Sequence, residues 1–225
     1  MEKVNIQKFA KSSSIYAGGN ILRQLAGFIM LPIYTQYLEP SDYGIIGLLT
    51  FAISLIDSLF GARMGLAVPK FYHQQIKVTD KLAVISTAMI QTAVISALTV
   101  AMVLLFRSGA STQLFGTSDY QLLIGIFAIT ILTQAIENYG LIFIRIQGRA
   151  WFFLGLNLSK LALQLSLNIY LLIFMEMGVL GVAISMASVS VFYALLLTLI
   201  TLRKTGIHYH FDLDSQMFAF SWPLW

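Results

Sequence analysis

The sequence predicts an all-α integral membrane protein: a six-helix transmembrane lobe followed by the start of a seventh transmembrane helix. Three observations carry this. The 225 residues are 58% hydrophobic and only 11% charged, and the mean hydropathy of +0.80 lies far outside the range of soluble domains. The apolar residues fall into runs of about 20, the length that crosses a bilayer as a helix. The basic residues gather at alternate ends of those runs, as the positive-inside rule requires of a multi-pass chain.

Taken in order, the predicted spans are approximately 12–36, 44–66, 82–106, 120–144, 150–173 and 178–202, and a seventh begins near Met217. Helices are the natural reading, because a segment in hydrocarbon must pair its backbone polar groups internally. The alternating pattern of a membrane barrel is missing. The first span follows Lys3, Lys8 and Lys11 like a secretory leader, but Arg23 interrupts its apolar region and no small-residue cleavage site follows. Gly18, Gly19 and Gly27 in that span would let neighbouring helices approach closely, and Pro32 is expected to kink or loosen its outer part.

Lys3, Lys8 and Lys11, then Lys70, Lys77 and Lys81, then Arg145 and Arg149, then Arg203 and Lys204 all fall on one side of the predicted bundle. The other side carries Glu39, Asp42, Asp119 and Glu176, with Arg107 the single basic exception. The N-terminus is therefore expected in the cytoplasm. The longest connections, 67–81 and 203–216, leave no room for a soluble catalytic domain. The closing FAFSWPLW opens an apolar segment too short to span, so the chain is expected to be roughly half of something larger. The expected organisation is a transmembrane lobe over 1–204, with a cytoplasmic linker and truncated seventh helix over 205–225.

With no cysteine and with His73, His208 and His210 scattered, no disulfide framework, thiolate chemistry or metal site is expected, and no cofactor is implied. The net charge of +4 reads as membrane topology rather than as a nucleic-acid surface. What remains is polar chemistry at depth. At about 1.5 Å per residue, Arg23 and Lys160 lie near mid-membrane, and Asp57 and Glu137 reach a similar slab from the other side. Charges there should face the bundle interior, paired or hydrated. Asn20-x-x-Arg23 and Asn157-x-x-Lys160 each place an amide one turn before a cation on the same helix face. Gln24, Gln134, Asn138, Gln164 and Asn168 add neutral polar groups. Two cations with two amides suit a phosphate-like anion, because arginine offers a planar fork and lysine a point charge. The plainer alternative stays open: Arg23 bridged to Asp57, or Lys160 to Glu137, would hold helices in register without touching a ligand.

The stretch LPIYTQYLEPSDYGIIGLLT at 31–50 resembles the O-antigen type oligosaccharide flippases of bacterial polysaccharide biosynthesis, within the multidrug/oligosaccharidyl-lipid/polysaccharide exporter superfamily. GLAVPKFYHQ at 65–74, MGVLGVAISMASVS at 177–190 and FSWPLW at 220–225 are similar, in order, to segments around that family's second, sixth and seventh helices. The resemblance implies a two-lobe alternating-access transporter of which this chain is the N-terminal half. Its implied activity is the movement of undecaprenyl-diphosphate-linked oligosaccharide from the cytoplasmic to the outer leaflet of the bacterial cytoplasmic membrane, for O-antigen, capsule or exopolysaccharide. Implied partners are that lipid-linked sugar, the bilayer, and the polysaccharide polymerase and chain-length machinery. Arg23 falls where first-helix arginines occur in related flippases; Lys160 is a positional assignment. Substrate contacts are thus expected at Arg23, Lys160, Asn20, Gln24 and Asn157, and coupling or charge pairing at Asp57 and Glu137.

Two other functional classes compete. A cation-coupled drug exporter of the same superfamily would use Asp57 or Glu137 as an ion site, and should show acids without nearby bases. A membrane enzyme acting on polyprenyl-linked sugars would need paired carboxylates for Mg²⁺ near the cytoplasmic face, where only Asp212 and Asp214 offer a weak cluster. A structural scaffold would leave the polar slab unexplained.

The orientation is testable directly. Cysteines introduced singly at Ser41 and Thr79 are expected to react with a membrane-impermeant thiol reagent from opposite sides, Ser41 from outside. Labelling of both from outside intact cells would overturn the topology.

Overall fold

The computed structural model describes residues 28–60 and 65–221, together with 14–15, 18–19 and 21; the side chains of 57–60 lie outside the description. Among the described residues every regular element is helical. The protein is an all-α membrane protein. Four helices are long and apolar enough to cross a bilayer, over Val78–Phe115, Gln121–Ile146, Ala150–Phe174 and Gly178–Thr205, and a shorter apolar helix covers Pro40–Ile56. These match five of the predicted spans. Residues 12–13, 16–17, 20 and 22–27 of the first span and 222–225 of the seventh lie outside the described residues.

Residues 28–37 are helical straight through Pro32, and the chain then turns at Leu38 and Glu39 into α1 (Pro40–Phe60). The Pro-Ser-Asp-Tyr-Gly stretch is thus a helix start rather than a turn. Pro40 occupies the first helical position, where its missing N–H costs nothing. The Glu39 N–H donates to the Asp42 carboxylate at 3.3 Å, the return half of a capping box.

The stretch 67–81, expected as a connection, contains a short helix, α2 (Ala67–Gln74). Its Pro69 falls in the first turn, where a ring is tolerated. Next, α3 (Val78–Phe115) runs nine residues beyond the predicted end of its span at 106. Nothing in 107–115 stops a helix until Gly116, at φ 74°, supplies the left-handed cap and donates its N–H to the Thr112 carbonyl. Then come α4 (Gln121–Ile146) and α5 (Ala150–Ile169). The latter continues into a π-turn, Tyr170–Phe174, closed by the Met175 N–H on the Tyr170 carbonyl at 3.2 Å. Finally α6 (Gly178–Thr205) leads to α7 (Phe211–Ser221). The connection expected over 203–216 is therefore mostly helical. The helix there begins at Phe211 rather than near Met217, because Leu213 and Met217 join the apolar cluster formed with α2, α3 and α4.

The centre of the bundle is α4, which packs most extensively against α6 and then against α3. In their most apolar windows α4 and α6 are each 56% buried, whereas α3 and the α5 span are 17% buried. The first two form the spine and the others line the periphery. Lipid supplies no hydrophobic force between helices, so close fit must hold the spine together. Gly140 provides it: a Cβ there would stand 2.7 Å from Leu197 Cβ, and Leu197 is fully buried. A hydrogen bond of 2.6 Å between Thr133 and Ser190 joins the same two helices.

At the end of the bundle opposite the α3–α4 turn, α2 and α7 close over α3 and α4 around Val68, Val84, Phe143 and Met217. Phe71 meets Phe220 edge-on, with ring centroids 6.1 Å apart, and Lys70 Nζ lies 3.6 Å from the Phe220 centroid. The extended link between α6 and α7 is tied to α3. The His208 N–H donates to Ser86 Oγ at 3.0 Å and the His210 N–H to Thr87 Oγ1 at 3.2 Å, while the Ser86 hydroxyl donates to the His208 carbonyl.

The spine contact can be probed by two glycine substitutions. Gly140→Ala should lower the thermal stability of the purified protein in detergent by about 1–3 kcal/mol through overpacking. Gly155→Ala has nothing within 4 Å of its new Cβ, and should leave stability unchanged or raise it by up to about 1 kcal/mol.

Candidate functional site

Four polar residues on α5 recur at helical spacing, Asn157, Lys160, Gln164 and Asn168, and so share one face over about 16 Å of axis. Each reaches a defined partner. Lys160 Nζ meets Glu137 Oε2 at 2.5 Å. Gln164 Nε2 donates to Ser185 Oγ on α6 at 3.0 Å. Asn168 Nδ2 donates to the hydroxyl of Tyr34, on the helical stretch 28–37. Asn157 Nδ2 donates back to the Phe153 carbonyl at 2.7 Å. The stripe thus forms a polar seam that ties α5 to α4, to α6 and to the end of the first span.

The meeting of Lys160 and Glu137 follows from chain geometry. α4 and α5 are antiparallel across the turn at 147–149, and each charged residue lies about ten residues from that turn. Both therefore reach the same depth, about 15 Å in. A lone charge at mid-membrane costs about 2.5–3.5 kcal/mol on insertion scales, so each group requires the other. The pair is asymmetric in access: the Glu137 side chain is 9% exposed and that of Lys160 27%. The acid is enclosed and the cation remains reachable.

The predicted slab is only partly assembled by the structure. Lys160, Glu137 and Asn157 come together with Gln164 and Asn168. Gln134 and Asn138 are exposed on α4, because the buried side of that helix is taken up by its contacts with α3 and α6. Arg23, Asn20 and Gln24 lie outside the described residues, as does the side chain of Asp57. Three contributors were not singled out by sequence reasoning: Tyr34, Ser185, and Ser159, whose hydroxyl accepts from Tyr193 at 2.7 Å. Serine and tyrosine are ordinary in membrane helices, and nothing in their spacing marks the partner they will find.

One further polar feature of the seam stands out. Asn168 is 2% exposed, and its carbonyl oxygen Oδ1 has no partner among the described residues, a costly state away from water. It sits two residues before the π-turn, where the helix is locally rewound.

At the other end of the molecule, the two aspartates weighed as a metal cluster separate. Asp212 is exposed, while Asp214 is buried and accepts from the Tyr209 hydroxyl at 2.8 Å. Burial pushes the Asp214 carboxyl above the usual range, and the bond from Tyr209 offsets part of that rise. No group of three or more metal-ligating side chains occurs among the described residues.

A family model described as "Polysaccharide biosynthesis protein" matches residues 9–225. No similar curated protein and no similar solved structure was found.

The ion pair makes a stability prediction of its own. Lys160→Met leaves Glu137 enclosed without a partner, and should cost about 3–5 kcal/mol, read as a fall in the melting temperature of the purified protein. Adding Glu137→Gln should recover most of the loss. A single variant that melts like the wild type would show that the pair contributes nothing to the fold.

Proposed function

The chain belongs to the polysaccharide biosynthesis protein family, and from that premise we propose that it forms the first lobe of a flippase. Its cargo is an undecaprenyl-diphosphate-linked oligosaccharide, moved from the cytoplasmic to the outer leaflet of the bacterial cytoplasmic membrane for O-antigen, capsule or exopolysaccharide assembly. In this reading residues 1–204 are the N-terminal lobe, and 205–225 are the cytoplasmic link and the start of the next span. The chain is a transporter and not an enzyme, and its N-terminus is cytoplasmic.

The observation that carries the reading is Lys160: an ammonium at mid-membrane depth, aimed by a buried carboxylate yet still 27% exposed. A diphosphate leaving the aqueous surface must exchange its hydration for fixed donors, and a cation inside the bundle supplies them. Glu137 offsets the cost of holding that cation while cargo is absent. When a phosphate arrives, Lys160 can turn toward it and Glu137 is left to be hydrated or protonated. Arg23 and its neighbours Asn20 and Gln24 are the natural second cluster, with a guanidinium suited to bidentate phosphate contact. Asn157, one turn from Lys160, and Asp57 complete the proposed set. The exposed amides Gln134 and Asn138 at the depth of Glu137 support a hydrated cleft beside the seam, since an amide facing hydrocarbon would have no partner.

The rival within the same superfamily, a cation-coupled drug exporter, needs Asp57 or Glu137 as its ion site, and of these Glu137 must be free to take up an ion if it is the one used. The Glu137 carboxylate is instead engaged by Lys160, which favours anionic cargo.

The test separates cargo binding from architecture. In the native host, the double variant Lys160→Gln with Glu137→Gln removes both charges together and should keep protein abundance near wild type, yet reduce surface polysaccharide at least about tenfold, the loss of one charge-assisted contact. Arg23→Ala should do the same or worse, and Arg23→Lys should retain part of the activity. Wild-type polysaccharide from the double variant and from Arg23→Ala, at normal abundance, would sink the proposal.

A further inference from the structure

A second feature lies away from the α5 seam, where α1, α3 and α4 diverge. A crevice of about 250 Å³ opens between them. Leu49 and Ile53 of α1, Val103 and Phe106 of α3, and Ile124 and Phe127 of α4 form most of its wall. The polar member of the lining, Thr99, spends its hydroxyl on the Ile95 carbonyl at 2.9 Å. The crevice therefore has no hydrogen bond to offer. It arises because α1 packs mainly on α4 and α6 and barely touches α3, leaving a wedge open in a part of the bundle that crosses hydrocarbon.

At its edge stands one cation. Arg107 lies between Val103 and Ala110, which are both in the lining, and it is exposed. No other lysine or arginine occurs between Lys81 and Arg145. Among the described residues Arg107 has no carboxylate within 4 Å, the one ion pair there being Lys160 with Glu137. Its guanidinium lies beside α4: Arg107 Nη1 would stand 3.9 Å from a Cβ built on Gly125, ordinary contact distance.

We propose that this crevice and Arg107 form a binding site for an anionic glycerophospholipid of the surrounding bilayer, with one acyl chain in the crevice and the phosphate on the guanidinium. The dimensions fit a bilayer lipid. From Arg107 down to Thr99 the wall runs about 12 Å along the helix axis, within the ~15 Å depth of one leaflet, while Ala110 and Leu114 continue the lining past Arg107, so a chain whose phosphate rests on the guanidinium lies against apolar wall over most of its leaflet. The charge fits as well, because an arginine at the membrane boundary with no acidic partner favours a lipid that brings its own. The site is distinct from the proposed cargo path. Its occupant is a resident lipid that wedges α1 against α3, in place of the side-chain contacts those helices lack.

Native mass spectrometry of the purified chain in detergent tests this, with titration by phosphatidylglycerol and by phosphatidylcholine of matched chains. The wild type should retain phosphatidylglycerol about tenfold more strongly, the scale of one charge-assisted phosphate contact. Arg107→Gln should bring the two lipids level, and Arg107→Lys should keep part of the preference. Ala52→Phe, which fills the crevice from α1, should weaken both lipids, with helix content unchanged by circular dichroism. Equal binding of the two lipids to the wild type, an unchanged preference in Arg107→Gln, or undiminished binding in Ala52→Phe would each overturn the proposal. The last result would place the chain elsewhere on the surface.

Discussion

A carboxylate and an ammonium 2.5 Å apart, halfway through a bilayer, are the interaction on which the rest of this molecule's arrangement turns. Hydrocarbon offers neither group a partner, so the two helices that carry them must stand side by side at one register. That requirement sets α5 against α4. It places the stripe from Asn157 to Asn168 against α6 and the end of the first span, and it leaves the Lys160 side chain 27% exposed. A pair of this kind contributes little net stability compared with two apolar side chains of the same volume. Its value lies in specifying position and in keeping a charge available.

The bundle divides its labour accordingly. α4 and α6 form the rigid part, joined by the close approach at Gly140 and Leu197 and by the Thr133–Ser190 bond. Little of that contact depends on charge. α5 is different. It is sparsely buried, and polar contacts with Glu137, Ser185, Tyr34 and Tyr193 supply much of what holds it. Contacts of that type can be exchanged for water or ligand at small net cost, whereas a close-packed spine cannot be loosened without opening a cavity. If one helix of this bundle shifts relative to the others, the physical chemistry favours α5, whose π-turn already relaxes the backbone at its far end.

The opposite end is organised by apolar contact. α2 and α7 lie over the ends of α3 and α4 on a shared cluster, and the backbone between α6 and α7 is held to Ser86 and Thr87. The connection is therefore a fixed strut that sets where α7 lies on the bundle. Asp214, buried with one oxygen bonded to Tyr209 and the other without a partner among the described residues, belongs to this strut.

Much of this was legible in the residues themselves. Hydropathy determined the spans, because a run of about 20 apolar residues in lipid has no stable alternative to a helix. The register of Glu137 and Lys160 was legible too, since equal spacing about one tight turn sends both to the same depth whatever the neighbours do. The expectation was weaker wherever a partner lies far along the chain. Neither the pairing of Gln164 with Ser185 nor that of Asn168 with Tyr34 follows from any local pattern, because a hydroxyl carries no signal until a neighbouring helix is rotated toward it. That Gln134 and Asn138 are exposed was not legible for the same reason: depth is a property of one helix, but facing is a property of the bundle. The short helix α2 was missed and the start of α7 was placed six residues late, because their apolar runs are brief and only the cluster they jointly cover makes them stable. The sequence by itself thus determined what must lie in the membrane and at what depth, which are one-dimensional consequences of solvation. Tertiary structure alone decided which faces meet, because that depends on close packing among residues that local sequence does not relate.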